Sequence, residues 1–373
     1  MARSWRAFVV LGSVAALAVA GSPMGGPTVA GAAEPGRITV AFSGEELANR
    51  GTWRVAKENA GGHGYDYRPM LARLRPLLGS VDLALCHLET PLTGPGVRLS
   101  DYPRFAVPHQ LADAIQAAGY DGCSTASNHS LDQGAAGIRT TLDRLDALGL
   151  QHTGTARSAL ERGRTTMYSV GGVEIAHLSF TASFNGLTPV DPWQANRLDP
   201  ARILKDARLA RDRGADLVVV SLHWGDEFHH DPTAYQRDIA ARLLRGDAID
   251  LIVGHHAHVV QPIRHVEGNW VAYGMGNSFS SMRDELSDAY VQDGYVLLAV
   301  LERGPRGWHV EKLRYAPTWV QPGTFVVRLV GPSIDDGTLP DGILAELRRS
   351  WHRTVRFVDA RRLGVVALRG STI

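Results

Sequence analysis

Ile249-Asp250-Leu251-Ile252-Val253-Gly254-His255-His256-Ala257-His258 is the stretch on which the reading of this chain turns. An apolar run that stops at glycine and then carries three imidazoles reads as a buried strand ending in a ligand-bearing loop. Imidazole is the commonest metal-binding side chain and suits Zn, Mn and Fe. Alternate, strand-like positions would put His256 and His258 on one side, with His255 turned away in a structural role.

The same design recurs upstream. Leu217 to Leu222 runs into His223-Trp224-Gly225, Gly122 to Ala126 into Ser127-Asn128-His129, and Val81 to Cys86 into His87-Leu88-Glu89. Four apolar strands that each end in a ligand type predict an α/β sheet whose site lies outside the carboxyl ends of its strands.

Charge and length bound the function. Basic and acidic residues nearly cancel over 373 residues, 39 against 38, so no electrostatic footprint points to nucleic acid. Arg3 and Arg6, the apolar run Ala7 to Ala20 and the small residues through Ala32 have the order of a secretory signal. The expectation is therefore residues 1–32 as signal or N-terminal anchor and a protein that is secreted or at the cell surface, anchored if that segment stays uncleaved. Residues 33–330 form the main domain and 331–373 a helical extension packed on it. Cys86 and Cys123 end predicted buried strands and are expected to pack rather than to bond, since adjacent parallel strands rarely offer good disulfide geometry.

Strand patterns at Arg37 to Phe42 and Val173 to Phe180 alternate with helical patterns at Pro69–Leu78, Pro108–Ala118, Gly134–Leu148, Ala201–Arg213 and Tyr235–Leu244. Residues 50 to 65 read as a loop with a short helix. After Trp270, strands follow one another without helices, which predicts a second, mostly antiparallel sheet. A last amphipathic helix fits Asp341 to Arg353.

If the strand ends meet, Glu45, His87, Glu89, Asn128, His129, His223, His256 and His258 share one site. Mixed carboxylate, amide and imidazole donors suit a dinuclear centre, with two divalent ions (Mn, Zn, Fe or Ca) roughly 3.5–4 Å apart that bind substrate and activate water. A carboxylate such as Glu89 can bridge two ions, and His129 can serve as general acid or base. His229 and His230 sit in a polar loop and are expected to face solvent.

Asp82 to Leu92, Ala126 to His129 with Leu131 to Gly134, Val220 to Gly225, Gly254 to Pro262 and Tyr273 to Asn277 together resemble the bacterial capsule synthesis protein CapA family, over about Ile38 to Phe279. The resemblance implies a four-layer α-β-β-α sandwich of the calcineurin-like metallophosphoesterase type. It also implies Glu89, Asn128, His223, His256 and His258 as metal ligands, His129 beside the reacting group, and Asn277 and Tyr273 as supports. Two positions depart from the family pattern: Glu45 stands where an aspartate ligand is usual, and His87 where asparagine is common. Both are expected in catalytic roles.

The function implied is an exported, metal-dependent, hydrolase-like enzyme tied to poly-γ-glutamate or capsule synthesis. It would act on a peptide, polyglutamate or phosphoester, with a membrane-associated synthesis complex as partner. A peptide epimerase using Glu45 and His87 as base and acid, and a non-catalytic assembly factor, are the competing readings.

Overall fold

The computed structural model describes residues 36–283, 290–305 and 307–373; the expected signal segment lies outside them. The strand Arg37–Glu46 holds the centre of a nine-stranded mixed sheet. Leu83–Leu88, Gly122–Ser124 and Gln151–Thr153 follow in parallel on one side. Asp293–Gly304, Gly307–Val320 and Val327–Leu329 follow in antiparallel on the other. The short strand Asn277–Phe279 pairs in parallel with the end of the first strand, Glu45 opposite Asn277. In the six-stranded second sheet, Val173–Thr181, Leu217–His223, Leu251–His255 and Asn269–Ala272 run parallel. Thr166–Val170 and Ile263–Val266 close its edges in antiparallel.

Strand alternation builds the layers. Val40, Phe42, Leu83 and Leu85 face Leu217, Val219, Leu251 and Val253 in one core between the sheets. Their neighbours Ala41, Ala84 and Cys86 point outward to helices Arg50–Asn59, Gln110–Ala118 and Gly134–Ala147. Val218, Val220, Leu222 and Ile252 point the other way, to helices Pro200–Asp212 and Ala234–Leu244. Three cores between four layers are the α-β-β-α sandwich that the resemblance implies. Each aliphatic side chain buried in them contributes about 1.5–3 kcal/mol of transfer free energy.

Residues 50–59 form the helix expected within residues 50–65, ten residues long, started where Thr52 Oγ1 accepts the Asn49 N–H at 3.2 Å. Four other details differ from the sequence reading. The helix over Pro69–Leu78 is broken into Arg68–Leu71, a 3-10 turn and Arg75–Leu78, because Pro76 lacks an N–H and its ring crowds the preceding turn. The strands after Trp270 make no separate sheet among the described residues. Most of Asp293–Gly304 is buried on both faces, so it inserts beside the first strand instead of covering the domain. Cys86 and Cys123 are joined as a disulfide, contrary to the packing expectation. They sit directly opposite on adjacent parallel strands, with Cα atoms 4.5 Å apart.

The final helix, Asp341–Val358, runs five residues past its expected end at Arg353. It is fastened where Arg353 donates to both carboxylate oxygens of buried Asp293, at 2.6 and 2.9 Å. No described helix is long and apolar enough to cross a membrane.

Candidate metal centre

The carboxyl ends of the strands converge. Glu45 and Glu89 come from the first sheet, His223 and the His255–His258 loop from the second, and Asn128 and His129 from the loop after Gly122–Ser124. Two glycines let neighbouring backbones approach closely here. A Cβ on Gly254 would lie 1.9 Å from the Tyr273 carbonyl oxygen, and one on Gly44 would lie 1.8 Å from that of Gly276.

His223 is the pivot. Its Nε2 lies 3.0 Å from Asn128 Oδ1 and 3.9 Å from Glu89 Oε1. Its Nδ1 meets His87 Nε2 at 3.0 Å, while His87 Nδ1 meets Ser124 Oγ at 2.8 Å. Ser124 Oγ donates to the Cys86 carbonyl. These contacts join Ser124, His87 and His223 in one chain and direct His223 Nε2 at Asn128 Oδ1 and Glu89 Oε1.

His258 is prepared in the same way. Its Nδ1 donates to Asn277 Oδ1 at 3.0 Å, and its Nε2 stands 3.7 Å from Glu89 Oε1. Asn277 is locked in turn by its own donation to Val291 O at 2.8 Å. Tyr273 supports from behind: its carbonyl accepts Trp224 Nε1–H at 3.0 Å, next to His223.

His256 and His258 converge by a route different from the one expected. The strand stops at His255, and both histidines occupy the left-handed region, φ 87° and 56°. Such backbone costs of the order of 1–3 kcal/mol per non-glycine residue and collects at functional sites. The loop is held from below by Glu45, whose Oε1 accepts the His256 N–H. One ligand atom each from Glu227, His256 and His258 lies within 4.8 Å of the others. Glu227 was not singled out from the sequence; it stands four residues after His223, past the Trp224-Gly225 turn, with no apolar pattern to mark it.

The electrostatics of the cluster suit a cation. Glu89 is buried, and neither of its carboxylate oxygens has a hydrogen-bond partner; Glu45 Oε2 has none either. Burial, and then the charge of neighbouring Glu45, raises the Glu89 carboxyl well above its usual range. Burial pushes Glu45 up to about 8. The imidazoles move the other way: burial lowers His258 to about 3 and His256 to about 4, and takes His223 well down. All three are neutral near pH 7, the form that binds metal. Buried carboxylate oxygens without donors, beside neutral imidazoles, fit a divalent metal ion.

His129 lies at the edge of this set. Its Nδ1 donates to Asp132 Oδ2 at 2.7 Å, and Phe105 packs edge-on at 4.6 Å. It lines a cavity of about 370 Å³ with Asn128, Asp132, Arg104 and Glu227. His87 and Glu45 do not line that cavity. His87 is sandwiched below, stacked on His255 at 3.9 Å, and burial lowers it to about 3. His255 thus faces the interior. His230 does not simply face solvent: its ring stacks on Phe357 at 3.5 Å and meets the Val260 carbonyl at 2.7 Å.

Residues 39–282 match the model of the bacterial capsule synthesis protein family, PGA_cap. The chain belongs to that family. It is 27% identical over 255 residues to the capsule biosynthesis protein CapA of Bacillus anthracis, covering 65% of this chain and 59% of that protein. It is 26% identical to the PGA biosynthesis protein CapA of Bacillus subtilis, over 64% of this chain and 62% of the relative. The matches thus span about 60% of the length of these curated relatives. Among solved structures, the calcineurin-like phosphoesterase YfkN of Bacillus subtilis aligns over 87% of this chain and 99% of that one, at 12% identity and a TM-score of 0.46. A likeness that distant carries no argument of its own. The family match includes Glu89, Asn128, His129, His223, His256, His258 and Asn277, so the cluster lies wholly within the shared region.

Proposed function

We propose that this capsule synthesis family member is an exported metal-dependent enzyme of hydrolase type, serving poly-γ-glutamate or capsule synthesis. The observation that carries it is the buried Glu89 carboxylate, without a hydrogen-bond donor, between His223 Nε2 and His258 Nε2. In this reading Glu89, Asn128, His223, His256 and His258 hold two divalent ions, with Glu227 as an added ligand. Such ions, when bound, supply Lewis-acid polarisation and lower the pKa of water.

The protein's own groups do the rest. Asp132 fixes the His129 tautomer, so that Nε2 is the atom able to take or give a proton at the cavity wall. Neutral His223 and His258 are oriented by His87 and Asn277. Substrate would be a peptide, a polyglutamate or a phosphoester. The site of action would be outside the cell or at its surface, with residues 1–32 as signal or anchor and a membrane-associated synthesis complex as partner.

The test is metal content of the purified chain beside His258→Ala. Near two ions per chain, lost in the variant, supports the reading; no metal in either refutes it and leaves an assembly factor. The epimerase alternative assigns the added base and acid to Glu45 and His87. Deuterium uptake at one α-carbon without cleavage would favour it over hydrolysis.

A further inference from the structure

The cavity beside Asn128, His129 and Glu227 has one arginine in its wall, and that side chain is unengaged. Tyr102, Pro103, Arg104, Asn185 and Leu187 form its outer rim, while Asn128 and His129 lie on the side of the ligand cluster. The Arg104 guanidinium makes no hydrogen bond or ion pair with any described residue. Arg157, by contrast, is engaged with Asp143 and Glu161.

The backbone beneath that free guanidinium is tightly held. Ser100 and Ala106 exchange both backbone hydrogen bonds, at 3.1 and 2.9 Å, which closes the loop at its base. Ser100 Oγ donates to the Arg104 carbonyl at 2.7 Å. Next along, the Phe105 N–H donates to Asp132 Oδ2 at 2.7 Å, and its carbonyl accepts from Gln133 Nε2 at 2.9 Å. Asp132 Oδ2 is also the atom that receives His129 Nδ1–H. One carboxylate oxygen therefore ties the arginine loop and the cavity histidine into a fixed relation.

A rigid stem bearing a free, forked cation at a cavity mouth is suited to two-point recognition of an oxyanion. We propose that Arg104 is a specificity-determining residue, which binds an anionic group of the substrate, a carboxylate or a phosphate, and so presents the adjoining bond to Asn128 and His129. The inference deepens the proposed function and rests on it. A polymer of glutamate would offer a carboxylate at every residue, and a phosphoester would offer phosphate oxygens.

The experiment measures binding of inorganic phosphate and of γ-glutamyl-glutamate to the full chain, to Arg104→Gln, to Arg104→Lys and to Arg98→Gln. Arg98 is an exposed arginine outside the cavity wall. Metal content is determined on the same samples. Arg104→Gln weakens one of the probes by about ten- to a hundred-fold, the range for loss of charge-assisted hydrogen bonds. Arg104→Lys lies between, Arg98→Gln matches the parent, and the probe that responds tells carboxylate from phosphate. Equal binding by parent and Arg104→Gln, or binding of neither probe by the parent, overturns the proposal. Arg104-dependent binding in a chain that holds no metal would uphold the arginine and refute the metal reading. Metal in place with an indifferent Arg104→Gln would do the reverse.

Discussion

Near pH 6, Glu45→Gln should change the stability of the protein with opposite sign in the absence and presence of metal. The Glu45 carboxyl is fully buried, and burial raises it from 4.5 to about 8. In the unfolded chain it ionises near 4.5; folded and metal-free, it holds its proton until about pH 8. The folded state therefore binds more protons between those values, and metal-free stability falls as pH rises through that window. At 1.36 kcal/mol per pH unit, the loss attributable to Glu45 is on the order of 5 kcal/mol by pH 8 and near zero below 4.5. Glutamine keeps an oxygen for the His256 N–H but cannot ionise. Chemical denaturation in EDTA should then show Glu45→Gln gaining on the parent steadily from pH 5 to 8. With Mn²⁺ or Zn²⁺ at a hundred times its Kd the parent gains about 2.7 kcal/mol; the order then reverses near pH 6, where the Glu45 loss is about 2 kcal/mol, and the gap only narrows at pH 8. A stability difference in EDTA that does not vary with pH, or a variant weaker than the parent at pH 8, would refute the argument that a cation compensates this burial.

Other outcomes follow from particular contacts. His87→Phe keeps ring volume but removes the hydrogen bond with His223 Nδ1; metal affinity should fall about 10–100-fold with stoichiometry unchanged, and an unaltered Kd in a metal titration would show His87 to be mere packing. Arg353→Ala strips two bonds from Asp293, which is 2% exposed; urea denaturation should show a loss of about 2–4 kcal/mol, and a loss under 0.5 kcal/mol would mean that the final helix is not fastened there.

The strand ends were legible because each apolar run stops at a polar ligand type, a pattern visible without coordinates at Glu89, His223 and His255. The four layers were legible through the resemblance. Alternation confirms them, with Leu217 and Val219 facing one core and Val218 and Val220 another. What was hidden depends on distance in sequence. Nothing local tells His87 to lie beneath His223 instead of facing the cavity; that follows from Ser124 and His255, which reach it from neighbouring strands. Glu227 was missed because a lone carboxylate in a polar loop has no periodicity to mark it. The disulfide was missed because register between Leu83–Leu88 and Gly122–Ser124 decides it, and composition carries no register. The destination of Asp293–Gly304 could not be told from the run of strands to which it belongs.

That last placement has a consequence for how the chain is made. The central strand Arg37–Glu46 has Leu83–Leu88 as one neighbour and Asp293–Gly304, some 250 residues later, as the other. Glu45 also waits for Asn277, the partner of His258. Loops of that length must close before the middle of the sheet is sealed, and non-local pairing of this kind slows folding. A nascent chain thus keeps one edge of its central strand open until Asp293–Gly304 has been made. The cluster that joins Glu45, Asn277 and His258 is therefore completed late, after the strands that carry its other members.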